Sequence, residues 1–232
     1  MKLSRRLEKL VEMTPKTECI ADIGTDHGYV PMALLEYKKA TKVIATDINR
    51  KPLEKAISLA DSYNLTGKID FRLGPGLTVL KKNEAQGVII AGMGGELIKD
   101  MIEISLDIVK ELDFLILQPA QNPEVIRQYL YDKNFTILAE DLVKEDDGRF
   151  YEYFRVVYDG EIMGFSHDPI DFILSPLLLR RHHPLMREYI TEKMKEIQLI
   201  RSKLDLGFAS SRIKDRELAS KVDHFQEALK WL

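Results

Sequence analysis

A doubly wound α/β fold is predicted: a seven-stranded, mainly parallel sheet with one reversed strand, followed by a C-terminal helical hairpin of coiled-coil type. Three observations predict it. Short β-branched runs alternate with amphipathic stretches between residues 18 and 120, two strand-like segments then flank an Asp-Gly turn, and the last part of the chain keeps a helical spacing of apolar residues.

In chain order, the predicted strands cover residues 19–23, 42–46, 68–73, 86–91 and 113–118. Between them lie helices over 29–39, 52–63 with Pro52 in the first turn, 95–110, and 123–132 behind a capping Asn122. Each crossover is long enough for the helix that parallel neighbours require. After Asn134 the period becomes two. Phe135, Ile137 and Ala139 alternate with Thr136, Leu138 and Glu140, and residues 150–158 return beyond Glu145-Asp-Asp-Gly148 as the second arm of an antiparallel hairpin. Gly160, Gly164 and Asp168-Pro169 mark a weak linker between a domain over 1–160 and a helical one over 161–232. In the second domain, Met186, Ile190, Ile197, Ile200 and Leu204 form one apolar stripe and Leu218, Val222, Phe225 and Leu229 another, with Gly207 as the stop between them and Ser210 or Ser211 as the next cap.

Composition excludes several classes. With 232 residues, 45% of them hydrophobic, the chain can bury a full core and is not a disordered segment. No apolar run approaches the ~18 residues that span a bilayer, and the charged start Met1-Lys-Leu-Ser-Arg-Arg lacks an export signal, so a cytoplasmic protein without a membrane partner is expected. The single Cys19 excludes an intrachain disulfide and reads as a small buried hydrophobe. The five histidines show no ligand spacing, so no metal is expected. Net charge is −3 but unevenly spread: residues 1–171 carry 22 basic and 29 acidic side chains, residues 172–232 carry 12 and 8. A polyanion would be met mainly by the tail.

The sharpest motif is Asp22-Ile-Gly24-Thr-Asp26-His27-Gly28-Tyr29, where the first strand passes to the first helix and ligands bind in such sheets. It is not the dinucleotide fingerprint, because Asp26 stands two residues after Gly24 and would repel a diphosphate. The same acid attracts the sulfonium and ammonium of S-adenosylmethionine, which carries no phosphate. Asp47 ends the second strand, where a carboxylate can accept both ribose hydroxyls of an adenosine, in that cofactor or in NAD. Taken singly, Asp22 and Asp47 read as capping or turn residues and His27 as a solvated loop histidine; their combination with the glycine turn points to a cofactor. Ala91-Gly92-Met93-Gly94-Gly95 lets backbone pass close to a ligand, with Met93 soft enough to lie on a planar base, or else makes a tight strand-to-helix turn. Gln118 and Asn122 offer donors and acceptors to a base edge, Asn122 being equally a helix cap.

Asp22-Ile-Gly-Thr-Asp-His-Gly-Tyr-Val-Pro31, Ala45-Thr-Asp-Ile-Asn49 with Pro52-Leu53, Arg72-Leu-Gly-Pro-Gly-Leu77, Ala91-Gly-Met-Gly-Gly95, Leu115-Ile-Leu-Gln-Pro119 and the helical tail together resemble the bacterial TrmK family, over essentially the whole chain. The resemblance implies a Rossmann-like class I methyltransferase fold and transfer of a methyl group from S-adenosylmethionine to N1 of adenine 22 of tRNA. It implies that Asp22, Gly24, Asp26, His27 and Gly28 line the methionine end of the cofactor and that Asp47 holds its ribose. Ile48 and Asn49 would flank the adenine, and Ala91, Gly92 and Met93 would form the floor between cofactor and target base. Where the family has Gly-Asp-Gly-Leu, this chain has Gly74-Pro75-Gly76-Leu77. Gly74 stays at the cofactor, while the missing acid's contact with the adenine amino group passes to a backbone carbonyl or water.

Adenine N1 has an in-plane lone pair and attacks without losing a proton, so positioning and charge stabilisation matter more than a base. Asp26 and the side-chain oxygen of Gln118 are candidates for stabilising charge on the base, and Tyr29 for packing on it. Because N1 lies on the Watson–Crick edge, the base must be unpaired or turned out, and the protein must grip a shaped RNA. Two basic sets could do so: Lys2, Arg5, Arg6 and Lys9 at the front, and Arg180, Arg181, His182, His183, Arg187, Lys193, Arg201, Lys203, Arg212, Lys214 and Arg216 in the tail. Other readings stay open: a NAD-dependent oxidoreductase, weakened by the absent fingerprint, a core whose tail is a coiled-coil interaction module, or methylation of a small molecule. A monomer or weak dimer is expected.

Overall fold

Alternation along the β-branched runs decides the architecture of the first part of the chain. In the computed structural model, which describes residues 1–160 and 172–232, β1 (Cys19–Ile23), β2 (Lys42–Asp47), β3 (Ile69–Leu73), β4 (Gly87–Gly94) and β5 (Phe114–Gln121) are parallel. β6 (Phe135–Lys144) and β7 (Phe150–Tyr158) form the predicted hairpin, and β7 inserts antiparallel beside β5 to give the order β3-β2-β1-β4-β5-β7-β6. Successive side chains point to opposite faces. Ile20, Val43, Ile89 and Ile116 pack with α1 (Arg5–Met13), α2 (Tyr29–Glu36) and Ala60 of α3 (Arg50–Ser62). Ala21, Ile44, Val88, Ile90, Leu115 and Leu117 pack with α4 (Gly95–Ile104) and α6 (Pro123–Asp132). Helices thus cover both faces of a seven-stranded sheet with one reversed strand, as the sequence predicts.

Four local features differ from what the sequence predicts. Residues 5–13 form α1, which the charged start conceals: Leu3, Leu7, Leu10 and Val11 share one face, and Ser4 caps it by accepting from Leu7 N at 3.4 Å. The single helix expected over 95–110 breaks at the buried Ser105, whose carbonyl accepts from Ile108 and Val109 N and so starts α5 (Leu106–Val109). Asn122 precedes α6 but is no side-chain cap; it takes φ 54° and ψ 54° and turns the chain into Pro123. Cys19, expected to be buried, is half-buried, and that burial pushes its thiol up from its usual range.

Arg127 on α6 is fully buried. Its Nε and Nη2 donate to Glu140 Oε1 at 2.9 and 2.6 Å, Nη2 also meets Glu152, and the guanidinium lies 4.9 Å from the centre of the Phe154 ring. Burial opposes the charge, but the two carboxylates more than offset it and hold the pKa above the usual arginine value.

The chain divides into two compact units, Met1–Phe165 and Ser166–Leu232; Gly164 and Asp168-Pro169 of the expected linker lie outside the described residues. In the second unit, α7 (Pro176–Arg180) precedes α8 (Met186–Ser202) and α9 (Ala209–Trp231), which pack on each other. Met186, Tyr189 and Ile190 on α8 and Leu218, Val222 and Phe225 on α9 are buried, whereas Ile200 is exposed, so the predicted stripe is sealed over only part of its length. Phe208, rather than Ser210 or Ser211, precedes the first turn of α9, because Asp205 has already turned the chain: its Oδ1 accepts from Gly207 N at 2.9 Å. Among the described residues, no helix is long and apolar enough to cross a membrane.

Candidate active site

A cavity of about 840 Å³ opens at the carboxyl ends of β1, β2 and β4, where the strand order reverses between β1 and β4. That size lies in the range of small-molecule sites. Gly24 N and Thr25 N donate to Thr46 O at 2.9 and 2.8 Å, folding the chain off β1 across the end of β2. The turn needs positive φ at Gly24 (75°) and at Asp26 (50°), a conformation that aspartate tolerates better than most side chains. Asp47 fixes both loops, accepting from Asp26 N through Oδ2 at 3.3 Å and from Asn49 N through Oδ1 at 2.8 Å. His27 Nδ1 donates to Asp26 Oδ2 at 2.8 Å, which leaves Nε2 to accept from Lys55 Nζ at 3.4 Å. Its ring stacks on Tyr29, 5.9 Å between centres and 17° between planes.

Asp22 is buried against this turn with no cation facing it among the described residues. Burial, with the neighbouring Asp47 adding to it, pushes its carboxyl up to about 7. Opposite, β4 does not end in a tight turn. Its register against β5 slips between Ala91 and Met93, so Gly92, at φ 76°, sits in a bulge, and the strand continues to Gly94. The bulge lays Met93 over Gly24, where a Cβ would come within 2.2 Å of the methionine Cε.

Most of the expected site residues meet here: Asp22, Gly24, Asp26, His27, Tyr29, Asp47, Ile48, Asn49, Gly74, Ala91, Gly92 and Met93 all line the cavity. Two do not. Gly28 is not in the lining; it sits at φ 77°, and a Cβ there would meet the Ala56 Cβ at 2.9 Å, so glycine lets the start of α2 approach α3. Gln118 is fully buried and outside the lining; its Oε1 accepts from Arg6 Nη1 at 2.7 Å and its Nε2 donates to Pro119 O at 2.7 Å. The expectation that this oxygen faces the target base is therefore corrected, since it is committed to a guanidinium.

Arg6, expected at an RNA phosphate, instead lines the cavity. Its backbone N donates to Glu145 Oε1 at 2.6 Å, its carbonyl accepts from Tyr153 OH at 3.0 Å, and its guanidinium lies 5.6 Å from the centre of the Tyr151 ring. The rest of the front basic set is largely neutralised: Arg5 pairs with Asp146 at 3.1 Å, and Lys9 with Glu12 at 2.7 Å and Asp141 at 3.0 Å. In the tail, Arg201 is tied to Asp215 at 2.7 Å and Arg212 to turn carbonyls, whereas Arg180, Arg181, Arg187, Lys203, Lys214 and Arg216 are exposed.

A family model described as a methyltransferase domain matches residues 3–154. The tRNA (adenine(22)-N(1))-methyltransferase of Bacillus subtilis strain 168 is 30% identical over 99% of this chain and 98% of its own length. The chain belongs to the tRNA (adenine(22)-N(1))-methyltransferase, or TrmK, family. The crystal structure of the B. subtilis m1A22 tRNA methyltransferase TrmK superposes with a TM-score of 0.85 at 30% identity, covering 98% of this chain and 99% of that one. A Streptococcus pneumoniae protein proposed to be a tRNA (m1A22) methyltransferase, solved in complex with S-adenosyl-L-methionine, gives 0.86 at 26% identity, covering 98% and 100%.

Membership of this family overturns the NAD-dependent oxidoreductase reading. At Pro75, where the resemblance leads one to expect an acid, the carbonyl accepts from Thr78 Oγ1 at 2.6 Å, and Pro75 and Thr78 both line the cavity. Sequence reasoning passed over the apolar wall formed by Leu97, Met101 and Ile104 of α4, although their steps of 4 and 3 mark a second stripe beside the buried Ile98 and Ile102. Among the described residues, no group of three or more His, Cys, Asp or Glu side chains is arranged to hold a metal ion.

Proposed function

We infer that the chain is an S-adenosylmethionine-dependent methyltransferase acting on N1 of adenine 22 in tRNA. The observation that carries this reading is an acid-walled cavity: Asp22, Asp26 and Asp47 line it, with Arg6 as the one lysine or arginine among the described lining residues. Such a wall favours a cofactor with two cationic centres and no phosphate. The B. subtilis relative is named for this reaction, and the S. pneumoniae structure holds this cofactor.

The residues fit the cofactor on a feature of their own. Asp22 is an acid whose carboxyl burial pushes up to about 7, and an ammonium beside it would restore its charge. Asp47 would hold the ribose, Ile48, Asn49 and Gly74 would flank the adenine, and Arg6 would meet the methionine carboxylate. Bound there, S-adenosylmethionine supplies an electrophilic methyl on a sulfonium.

The reaction asks no side chain for a proton, because the N1 lone pair is the nucleophile. It asks for alignment and for negative charge near the base as positive charge moves onto its ring. Asp26, with its carboxylate 70% exposed at the cavity and fixed by His27, is placed for the second task. Tyr29, supported by the His27 ring, offers a face to the incoming base, and Ile48, Leu97 and Ile104 add an exposed apolar rim. Gln118 acts as a positioning residue through Arg6.

The part over 161–232 supplies phosphate contacts through Arg180, Arg181, Arg187, Lys203, Lys214 and Arg216, in a cytoplasmic protein that is a monomer or weak dimer. Mass spectrometry of unmodified tRNA after incubation with the protein and labelled S-adenosylmethionine tests the reading. One methyl at adenine 22 supports it; an unlabelled tRNA, or a label elsewhere, overturns it. Asp26→Asn should lower the single-turnover rate at saturating cofactor about 10- to 100-fold.

A further inference from the structure

The turn between α8 and α9 carries apolar side chains that no core uses. Leu206 and Phe208 are 51% and 64% exposed, and Leu199, Ile200 and Ile213 beside them on the two helices are exposed as well. One exposed apolar residue needs no explanation, but five within residues 199–213 do. The turn that presents them is firmly built. Gly207 N donates to Asp205 Oδ1 at 2.9 Å, Phe208 N to Asp205 O at 3.3 Å, and Arg212 Nη1 to Leu206 O and Gly207 O at 2.8 and 3.0 Å. Arg201 and Asp215 join the two helices one turn back, at 2.7 Å. An aromatic ring held in place before binding loses little entropy when a partner covers it.

We propose that this turn is a nucleobase-stacking contact: Phe208, backed by Leu206, takes the face of an unpaired base of the tRNA while Lys203, Lys214 and Arg216 hold the flanking phosphates. The proposal rests on the tRNA reading above and assigns that contact a place and a chemistry. Charge selects the occupant. Residues 199–216 carry five basic and two acidic side chains, and one of the acids, Asp215, is paired with Arg201. An aromatic face among excess cations suits single-stranded RNA, where bases stack on rings and phosphates meet lysine and arginine. A second copy of the same turn would bring these cations against themselves.

The test uses the full chain and an unmodified substrate tRNA transcript, titrated at several salt concentrations. Phe208→Ala should weaken binding about 5- to 150-fold with the salt slope unchanged, since stacking releases no counterions. Lys214→Ala should reduce the slope by about 0.7–0.9. Phe208→Trp should restore affinity, and its added emission should be quenched by tRNA, while cofactor affinity by calorimetry stays at the wild-type value in all three variants. Wild-type affinity in Phe208→Ala, with Lys214→Ala still lowering the slope, overturns the stacking contact alone. Unchanged affinity and slope in both variants overturn the tail's role in tRNA binding as well. A wild-type dimer in sedimentation that Phe208→Ala dissociates with tRNA affinity intact makes the turn a self-association surface and also overturns the proposal.

Discussion

The two units close their apolar faces to different degrees, the first on the strands of a sheet and the second on a pair of helices. In the first, Ile20, Ile89, Ile90, Leu115 and Ile116 are sealed from water because the sheet is covered on both faces. In the second, a two-helix seam buries Met186, Ile190, Leu218, Val222 and Phe225 and leaves Leu199, Ile200, Leu206, Phe208 and Ile213 outside. One ionic contact from each unit repeats the contrast: Arg127 with Glu140 and Glu152 is dry, Arg201 with Asp215 is partly wet. Substitutions in the first unit should therefore act on folding and on the cavity, and those at the hairpin turn on what it binds.

The largest expected effect tests the dry cluster. Arg127→Ala leaves two carboxylates buried without their cation and should cost about 3–5 kcal/mol in denaturant unfolding. A wild-type midpoint would erase the contrast between the units. Next comes Asp22→Asn, which should weaken cofactor binding about 10- to 100-fold in calorimetry by removing a charge-assisted contact. The same variant has a signature in stability. The folded carboxyl titrates at about 7 against an ordinary 3.8, so the folded chain keeps a proton that the unfolded chain releases. Stability from this group falls as pH rises from about 4 to 7 and stays low above. Without cofactor, Asp22→Asn should thus melt above wild type at pH 8 and not at pH 4; equal curves at pH 8 would mean that Asp22 is not a strained acid. The smallest effect is expected at the wet pair: Arg201→Ala should move the melting midpoint by about 4 °C or less. A shift like that of Arg127→Ala would show that the hairpin, too, depends on its ion pair.

How much of this the sequence discloses depends on what each signal encodes. Strands were legible because β-branched runs bounded by turn residues have few other uses, and Asp22, Asp26 and Asp47 were legible because a carboxylate-bearing glycine turn at a strand end is an uncommon combination. α1 was hidden by its charge, although the apolar residues at 3, 7, 10 and 11 share a helical face. Arg6 followed it into the wrong class: an arginine in a basic front set looks like a phosphate contact until long-range packing places it against Gln118, 112 residues away. The bulge at Gly92 depends on strand pairing, which no local window contains. The hairpin stripe is helical, as its spacing predicts, but spacing alone does not say how far a seam is closed.

The backbone of Arg6 hangs from Glu145 and Tyr153, 139 and 147 residues further along the chain. Glu145 follows the sixth strand and Tyr153 lies on the seventh, so the last hairpin of the sheet helps to hold Arg6 at the cavity. A chain that ended before Glu145 would lack both of these contacts. The first helix and the closing hairpin are thereby keyed to each other: the side chain that enters the cavity from one end of the chain is held through its backbone by groups far along it.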